Sequence, residues 1–210
     1  MASFYVNPLC TEHLLGLGQE ETIEFRVNIF RFFNYVKSVL PNNDPNTNLA
    51  AAKTLGEIIE AGRPAFDETF MEYELPGAIE LLQSDRQESR FSGVLILKEF
   101  ALHNAAFFHP HIPLVFDKIL IPLRDPRTHI REAAADLLAA CLEIVTQRER
   151  QTNAPFLTKI LQDAQAGIRM NSVDVMHGSL LTFRELLLHA GMVSFFVFGS
   201  RYRCWKLHSL

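Results

Sequence analysis

Cysteine is scarce in this sequence: Cys10, Cys141 and Cys204 are the 3 in 210 residues. An odd number with no short spacing gives neither a disulfide framework nor a zinc motif, and a reducing compartment is the default expectation. Basic residues are not in excess either. There are 20 Lys and Arg against 24 Asp and Glu, a net charge of −4 and a pI of about 6.1. Nucleic acid is held by clustered Lys and Arg, so no nucleic-acid partner is expected. No apolar run approaches the roughly 18 residues of a membrane-spanning helix, and Ser194-Phe-Phe-Val-Phe198 is too short to span. Direct membrane insertion is therefore not expected. Met1 to Cys10 contains no Lys or Arg and reads poorly as a signal peptide. The chain is expected to be soluble and cytoplasmic.

Period-two alternation is almost absent as well, which argues against strands. What is present is the helical period, with apolar residues recurring at three and four. Phe25, Ile29, Phe32, Phe33, Val36 and Leu40 trace one helix face, and Leu49, Ala52, Leu55, Ile58 and Ile59 trace the next. Pro41-Asn-Asn-Asp-Pro45 separates them, because proline cannot continue the preceding helix. Asp44 is an N-cap candidate with Pro45 at the first helical position. Gly62 suits the end of the second helix. Further helices are predicted over about 67–83, 87–103, 111–123, 127–146, 155–166 and 173–190, with Pro76 placed to kink the first of these and Gln147 to Asn153 forming a polar loop.

The aspartates Asp44, Asp85 and Asp125 lie 41 and 40 residues apart, each between one helix and the next. A period near 40 with two helices per unit is the pattern of HEAT repeats, and a three-helix unit would favour armadillo repeats. Small pairs recur in the second helices at Ala51-Ala52, Ser92-Gly93 and Ala133-Ala134, with Gly178-Ser179 in the fourth. Arg90 and Arg131 occupy a position where such units often pair an arginine with an aspartate of the turn. Asp125 is expected to accept hydrogen bonds from the N–H groups that open the following helix. The fold expected is all-α, an α-solenoid of about four HEAT-like helical hairpins in an armadillo-like superhelix. A compact bundle of four amphipathic hairpins has similar composition but does not account for the even spacing.

The chain resembles the amino-terminal HEAT-repeat region of the TOR (target of rapamycin) serine/threonine-protein kinase family. Phe30-Arg-Phe-Phe-Asn-Tyr-Val-Lys-Ser-Val-Leu-Pro-Asn-Asn-Asp-Pro45 is similar to a TOR stretch reading broadly R-F-A-N-Y-L-R-N-L-L-P-S-N-D-P. Val94-Leu-Ile-Leu-Lys-Glu-Phe-Ala101, Ile130-Arg-Glu-Ala-Ala-Ala135 with Thr146-Gln-Arg-Glu149, and His177-Gly-Ser-Leu-Leu-Thr-Phe-Arg-Glu-Leu186 follow in the same order. The likeness covers about Ile23 to Gly191. It implies an arm of a very large kinase that binds complex subunits such as Raptor-like proteins, and small GTPase regulators. It also implies a place in the cytoplasm and, within a complex, at vacuolar or lysosomal membranes. No kinase-domain residue is carried over. The expected organisation is a poorly matched segment over 1–22, a repeat array over 23–191 (units at about 23–62, 66–104, 110–146 and 154–191), and a non-repeat tail over 192–210. That tail reads as the product of a truncated or misassembled gene.

Catalytic chemistry has no strong candidate. His103, His109 and His111 cluster around Pro110, but they lack the i, i+4 spacing of a zinc site and read as a solvated inter-helix loop. His177 reads as a packed or interfacial histidine, and Cys141 as a small apolar residue. Gly16-Leu-Gly18 follows no strand and lacks the rest of a phosphate loop. Neither a His-Arg-Asp nor an Asp-Phe-Gly kinase element is present. Arg201, Arg203 and Lys206 with Tyr202 and Trp205 suggest a membrane surface only weakly. The expectation is therefore no catalytic, cofactor-binding or metal residues, no cofactor, and work done by binding proteins. An independent HEAT adaptor of the transport-receptor type is the alternative to a piece of a TOR kinase.

Overall fold

The structure is a computed structural model and describes residues 19–148 and 155–190. The segment calls over 1–18 and 191–210, including Cys10, Gly16, Gly18, Arg201, Arg203, Cys204 and Lys206, lie outside the described residues. Every regular element among those described is helical: α1 (Gln19–Val39), α2 (Pro45–Ala61), α3 (Glu68–Leu81), α4 (Gln87–His103), α5 (Ala105–Phe108), a 3-10 turn (His109–His111), α6 (Ile112–Lys118), α7 (Leu120–Leu123), α8 (Thr128–Arg148), α9 (Pro155–Ile168) and α10 (Val173–Ala190).

Most of these follow the predicted periodicity, with one clear difference. The helix expected over 111–123 is interrupted near Ile119 and preceded by the short α5 and the 3-10 turn. Pro122 supplies the reason. It has no N–H to give the carbonyl of residue 118, and its ring crowds that carbonyl, so the helix breaks there and restarts as α7. Pro76 by contrast sits inside α3, on its exposed side, without ending it.

The helices pack as a row of layers. α2, α4, α8 and α10 stack side by side, each in extensive contact with the next, while α1, α3, the broken α5–α7 segment and α9 pack against them from the other side. This is an all-α helical-repeat solenoid. α4 is flanked by α2 and α8, so Phe91 through Leu97 are all buried. Neighbouring first helices are joined by aromatic contacts. Phe30 of α1 stacks on Phe70 of α3 with ring centroids 4.8 Å apart, and Phe116 of α6 stacks on Phe156 of α9 at 4.8 Å. Phe33, Phe66 and Phe100 are wholly buried beneath the first of these pairs, with Phe33 5.4 Å from Phe66 and 5.7 Å from Phe100.

Two apolar residues fall off their expected faces. Phe32 is 56% exposed, because Ile29, Phe33, Val36 and Leu40 form the inward stripe and Phe32 lies one position round from it. Leu49 is 44% exposed and Asn48 is buried in its place. The Asn48 amide closes the α1–α2 turn: its Nδ2 donates to the Asn42 carbonyl at 2.9 Å and its Oδ1 accepts from the Asn42 N–H at 3.1 Å.

Close helix approach depends on small residues at two second-helix positions. An added Cβ at Gly93 would lie 2.7 Å from Leu81 Cβ and 3.0 Å from the Ala78 carbonyl, where α4 crosses α3. At Gly178 it would lie 1.7 Å from the Leu123 carbonyl oxygen, so α10 touches the backbone of α7 directly. A backbone carbonyl cannot swing aside as a side chain can. Gly178→Ala is therefore expected to destabilise the fold by about 1–3 kcal/mol through overpacking. Gly77→Ala, in α3 with open space around it, should be neutral or stabilising by about 0.5–1 kcal/mol from helix propensity. Denaturant unfolding of the two variants checks both signs.

Candidate interaction surfaces

The turns between paired helices are held by one recurring device. Asn48, Arg90 and Arg131 lie 42 and 41 residues apart, and each donates to the carbonyl six residues before it. Arg90 Nη1 donates to the Ser84 and Asp85 carbonyls at 2.6 and 3.1 Å, and Arg131 Nη1 donates to the Asp125 and Pro126 carbonyls at 2.6 and 3.0 Å. The two arginines also reach forward to the next layer. Arg90 Nε and Nη2 both donate to Asp125 Oδ2, at 2.8 and 2.5 Å, while Asp125 Oδ1 accepts from the Arg127 N–H at 2.9 Å. Arg131 Nη1 donates to Asp174 Oδ1 of α10 at 2.8 Å. The Asp125 side chain is fully buried and that of Arg90 nearly so.

This register corrects the reading of the three aspartates. Asp44 is a true N-cap, accepting from the N–H groups of Asn46 and Thr47, and those bonds with the Thr47 hydroxyl, the largest influence, hold its carboxyl below the usual range. Asp85 is not a cap. Arg86 occupies the cap position of α4 without a side-chain hydrogen bond, and Asp85 is exposed. Asp125 caps through Arg127 as expected, but its main partner is Arg90 of the preceding layer. The three aspartates therefore sit at different positions of the repeat, and the near-40 spacing survives because the offsets are only a residue or two.

A polar seam crosses the second helices. Glu60 of α2 meets His103 Nδ1 at 3.2 Å, and His103 Nε2 lies 3.5 Å from Glu99 of the same helix. Lys98 lies 3.9 Å from Asp136 of α8, and Arg184 pairs with Glu185 at 2.5 Å on α10, where His189 adds a second contact to Glu185. The Glu99 and Glu60 carboxylates hold the His103 imidazolium against the opposing effect of burial, raising its pKa above the ordinary histidine value. Burial pushes the Asp136 carboxyl up despite Lys98. Alongside these groups, Lys53, Glu57 and Glu132 are exposed.

The histidine cluster is not the solvated loop expected from sequence. His103 ends α4 and bridges two layers, whereas His109 and His111 lie in the helical turn that follows. Burial lowers the His111 pKa. No group of three His, Cys, Asp or Glu among the described residues is placed to hold a metal ion. His177 is interfacial as expected, its Nδ1 accepting from Arg131 Nε at 3.0 Å. Cys141 is fully buried and its thiol is pushed far up by burial, the state of an inert apolar residue. The seam at Glu60, Glu99 and Asp136 escaped sequence reasoning. Its one visible trace is the repeated Lys98-Glu-Phe-Ala-Leu-His103 and Arg184-Glu-Leu-Leu-Leu-His189.

A row of stacked helices joined by inter-layer ion pairs, with its charge carried along one face, defines the class: an all-α helical-repeat protein. No protein-family profile matches the chain. It is 38% identical over 184 residues to the serine/threonine-protein kinase tor1 of Schizosaccharomyces pombe, covering 85% of this chain. It is 34% identical over 180 residues to the serine/threonine-protein kinase TOR of Arabidopsis thaliana, and 36% identical over 166 residues to that of Oryza sativa. These matches cover 84% and 78% of the chain. The chain belongs to the TOR serine/threonine-protein kinase family, and it spans only 7 to 8% of the length of these relatives.

Two measurements check the inter-layer bonds. Asp125→Ala leaves the Arg90 cation buried without its carboxylate and is expected to lower unfolding free energy by about 3–5 kcal/mol. Asp44→Ala, at an exposed cap, should cost distinctly less. Equal losses would show that Asp125 acts only as a cap. The second concerns pH. A group whose folded pKa is raised stabilises fully below its unfolded value, here 6.5, and that stabilisation is lost as pH rises through the higher folded value. Wild type should therefore exceed His103→Gln in stability at about pH 6, with the gap shrinking by about pH 9. Unfolding midpoints for both proteins across that range test it.

Proposed function

We propose that this chain is a protein-interaction scaffold, the counterpart of part of an amino-terminal HEAT-repeat arm of a TOR kinase, and that it catalyses nothing itself. The observation that carries this reading is the charged seam from Glu60 through Lys98 and Asp136 to Arg184, which continues across four layers without forming a pocket. Extended solenoid faces of this kind suit long contacts with folded partners, and exposed charges set partner choice and association rate. The partners are TOR complex subunits, such as Raptor-like proteins, and small GTPase regulators. The place of action is the cytoplasm and, through the complex, the surface of vacuolar or lysosomal membranes. No described helix is long and apolar enough to cross a membrane.

Surface-immobilised chain titrated with a Raptor-like subunit tests the reading. Binding is expected, and the double charge reversal Glu57→Lys with Glu132→Lys should weaken it about tenfold, largely through the association rate. Absence of binding to Raptor-like and small GTPase partners alike would remove the scaffold reading. Transfer of phosphate from ATP to a protein substrate by clean material would remove the non-catalytic one.

A further inference from the structure

The two ends of the second-helix row differ. At α2 the side facing away from α4 carries Asn46, Ala50, Lys53 and Glu57, all exposed and mostly polar. A terminal repeat needs such a polar outer face, so the row is closed there. At α10 the corresponding side carries Val173, Met176, Leu180, Leu187 and Leu188, exposed by 40 to 80%. Their spacing of three, four, seven and one makes a single stripe. The equivalent sides of α4 and α8 are covered by the next second helix. The ladder position also changes character: four residues beyond the residue that precedes each second helix stand Asn48, Arg90 and Arg131, and then Met176. The device that staples a turn and reaches a further layer is replaced by an apolar side chain on the open stripe. An apolar stripe of this extent calls for a cover.

We propose that residues 191–210 of this chain lie along the outer face of α10 and cover this stripe. The segment follows α10 directly and is chemically matched to it. It holds Phe195, Phe196, Phe198, Tyr202 and Trp205 for the apolar stripe, and Arg201, Arg203 and Lys206 with no Asp or Glu. The acidic groups on the α8 side of α10 are Asp136, 59% exposed with its nearest cation 3.9 Å away, and Asp174, 44% exposed. Length suffices too. The stripe from residue 173 to 188 is about 22 Å long at the helical rise, and 20 residues reach about 66 Å when extended, enough to reverse and run the whole stripe.

Trp205 is the single tryptophan of the chain and reports the contact in the full-length protein. Its emission should be blue-shifted and shielded from acrylamide. Leu180→Asp with Leu187→Asp, both at exposed positions, should shift emission to the red and raise quenching while the helical circular dichroism is unchanged. Should that pair disturb folding, Leu188→Asp alone, 70% exposed in the parent, should give a smaller shift of the same sign. Wild-type emission typical of water would overturn the proposal, as would shielding that the α10 variants leave untouched. Shielding that disappears on dilution would also overturn it, since the occupant would then be a second copy of the chain.

Discussion

The buried ion pair between Arg90 and Asp125 sets the geometry on which the rest of the solenoid depends. One carboxylate oxygen takes two donors from the preceding layer while the other takes the N–H that opens its own layer. Desolvating two charges is costly, and the cost is met only when every donor and acceptor around them is satisfied. Here the remaining guanidinium donor is used by the Ser84 and Asp85 carbonyls, and no buried side-chain polar atom among those described lacks a partner. A displacement of α8 by one residue along α4 would break several of these bonds together. Hydrophobic packing alone is non-directional and tolerates such a slip far better.

With the second helices fixed in register, the first helices have less to do. They pair through stacked phenylalanines and through partly exposed ion pairs: Arg26 with Asp67, Lys37 with Glu74, and Asp117 with Lys159. Exposed pairs are worth little individually, so the stiffness of the array resides in the second-helix row. That row also tolerates the irregular third layer. Pro122 breaks the first helix into pieces, yet α8 stays straight in its place between α4 and α10 because its contacts come from those two helices.

The same construction separates structural charge from available charge. Arg90, Arg131 and Asp125 are consumed inside the ladder. Lys53, Glu57, Glu132 and Asp136 stand along the seam with few or weak partners of their own, and they are the groups a folded partner meets first. Relatives in the TOR kinase family are more than ten times as long as the matched stretch, so a stiff, charge-bearing spacer is a physically sensible share of such a molecule.

The helical period, the proline-rich breaks at 41–45 and 122–126 and a repeat near 41 residues were all legible in the sequence, because each is written in contacts within one or two turns of chain. Cys141 as a buried apolar residue and His177 as an interfacial one were legible for the same reason: their neighbours on the helix are apolar. The roles of the aspartates were not legible. Asp44 caps, Asp85 is solvated and Asp125 joins two layers, although the three look alike in spacing. Nor did the sequence distinguish Asn48 from Leu49, Phe32 from Phe33, or a bridging His103 from a loop histidine. Each of those outcomes turns on a partner 35 to 46 residues away or on a shift of one position, about 100° around a helix. Local pattern determines which segments are helices; only the packed layers decide which side chain of adjacent, similar ones faces inward, since that choice is made by the neighbour it meets.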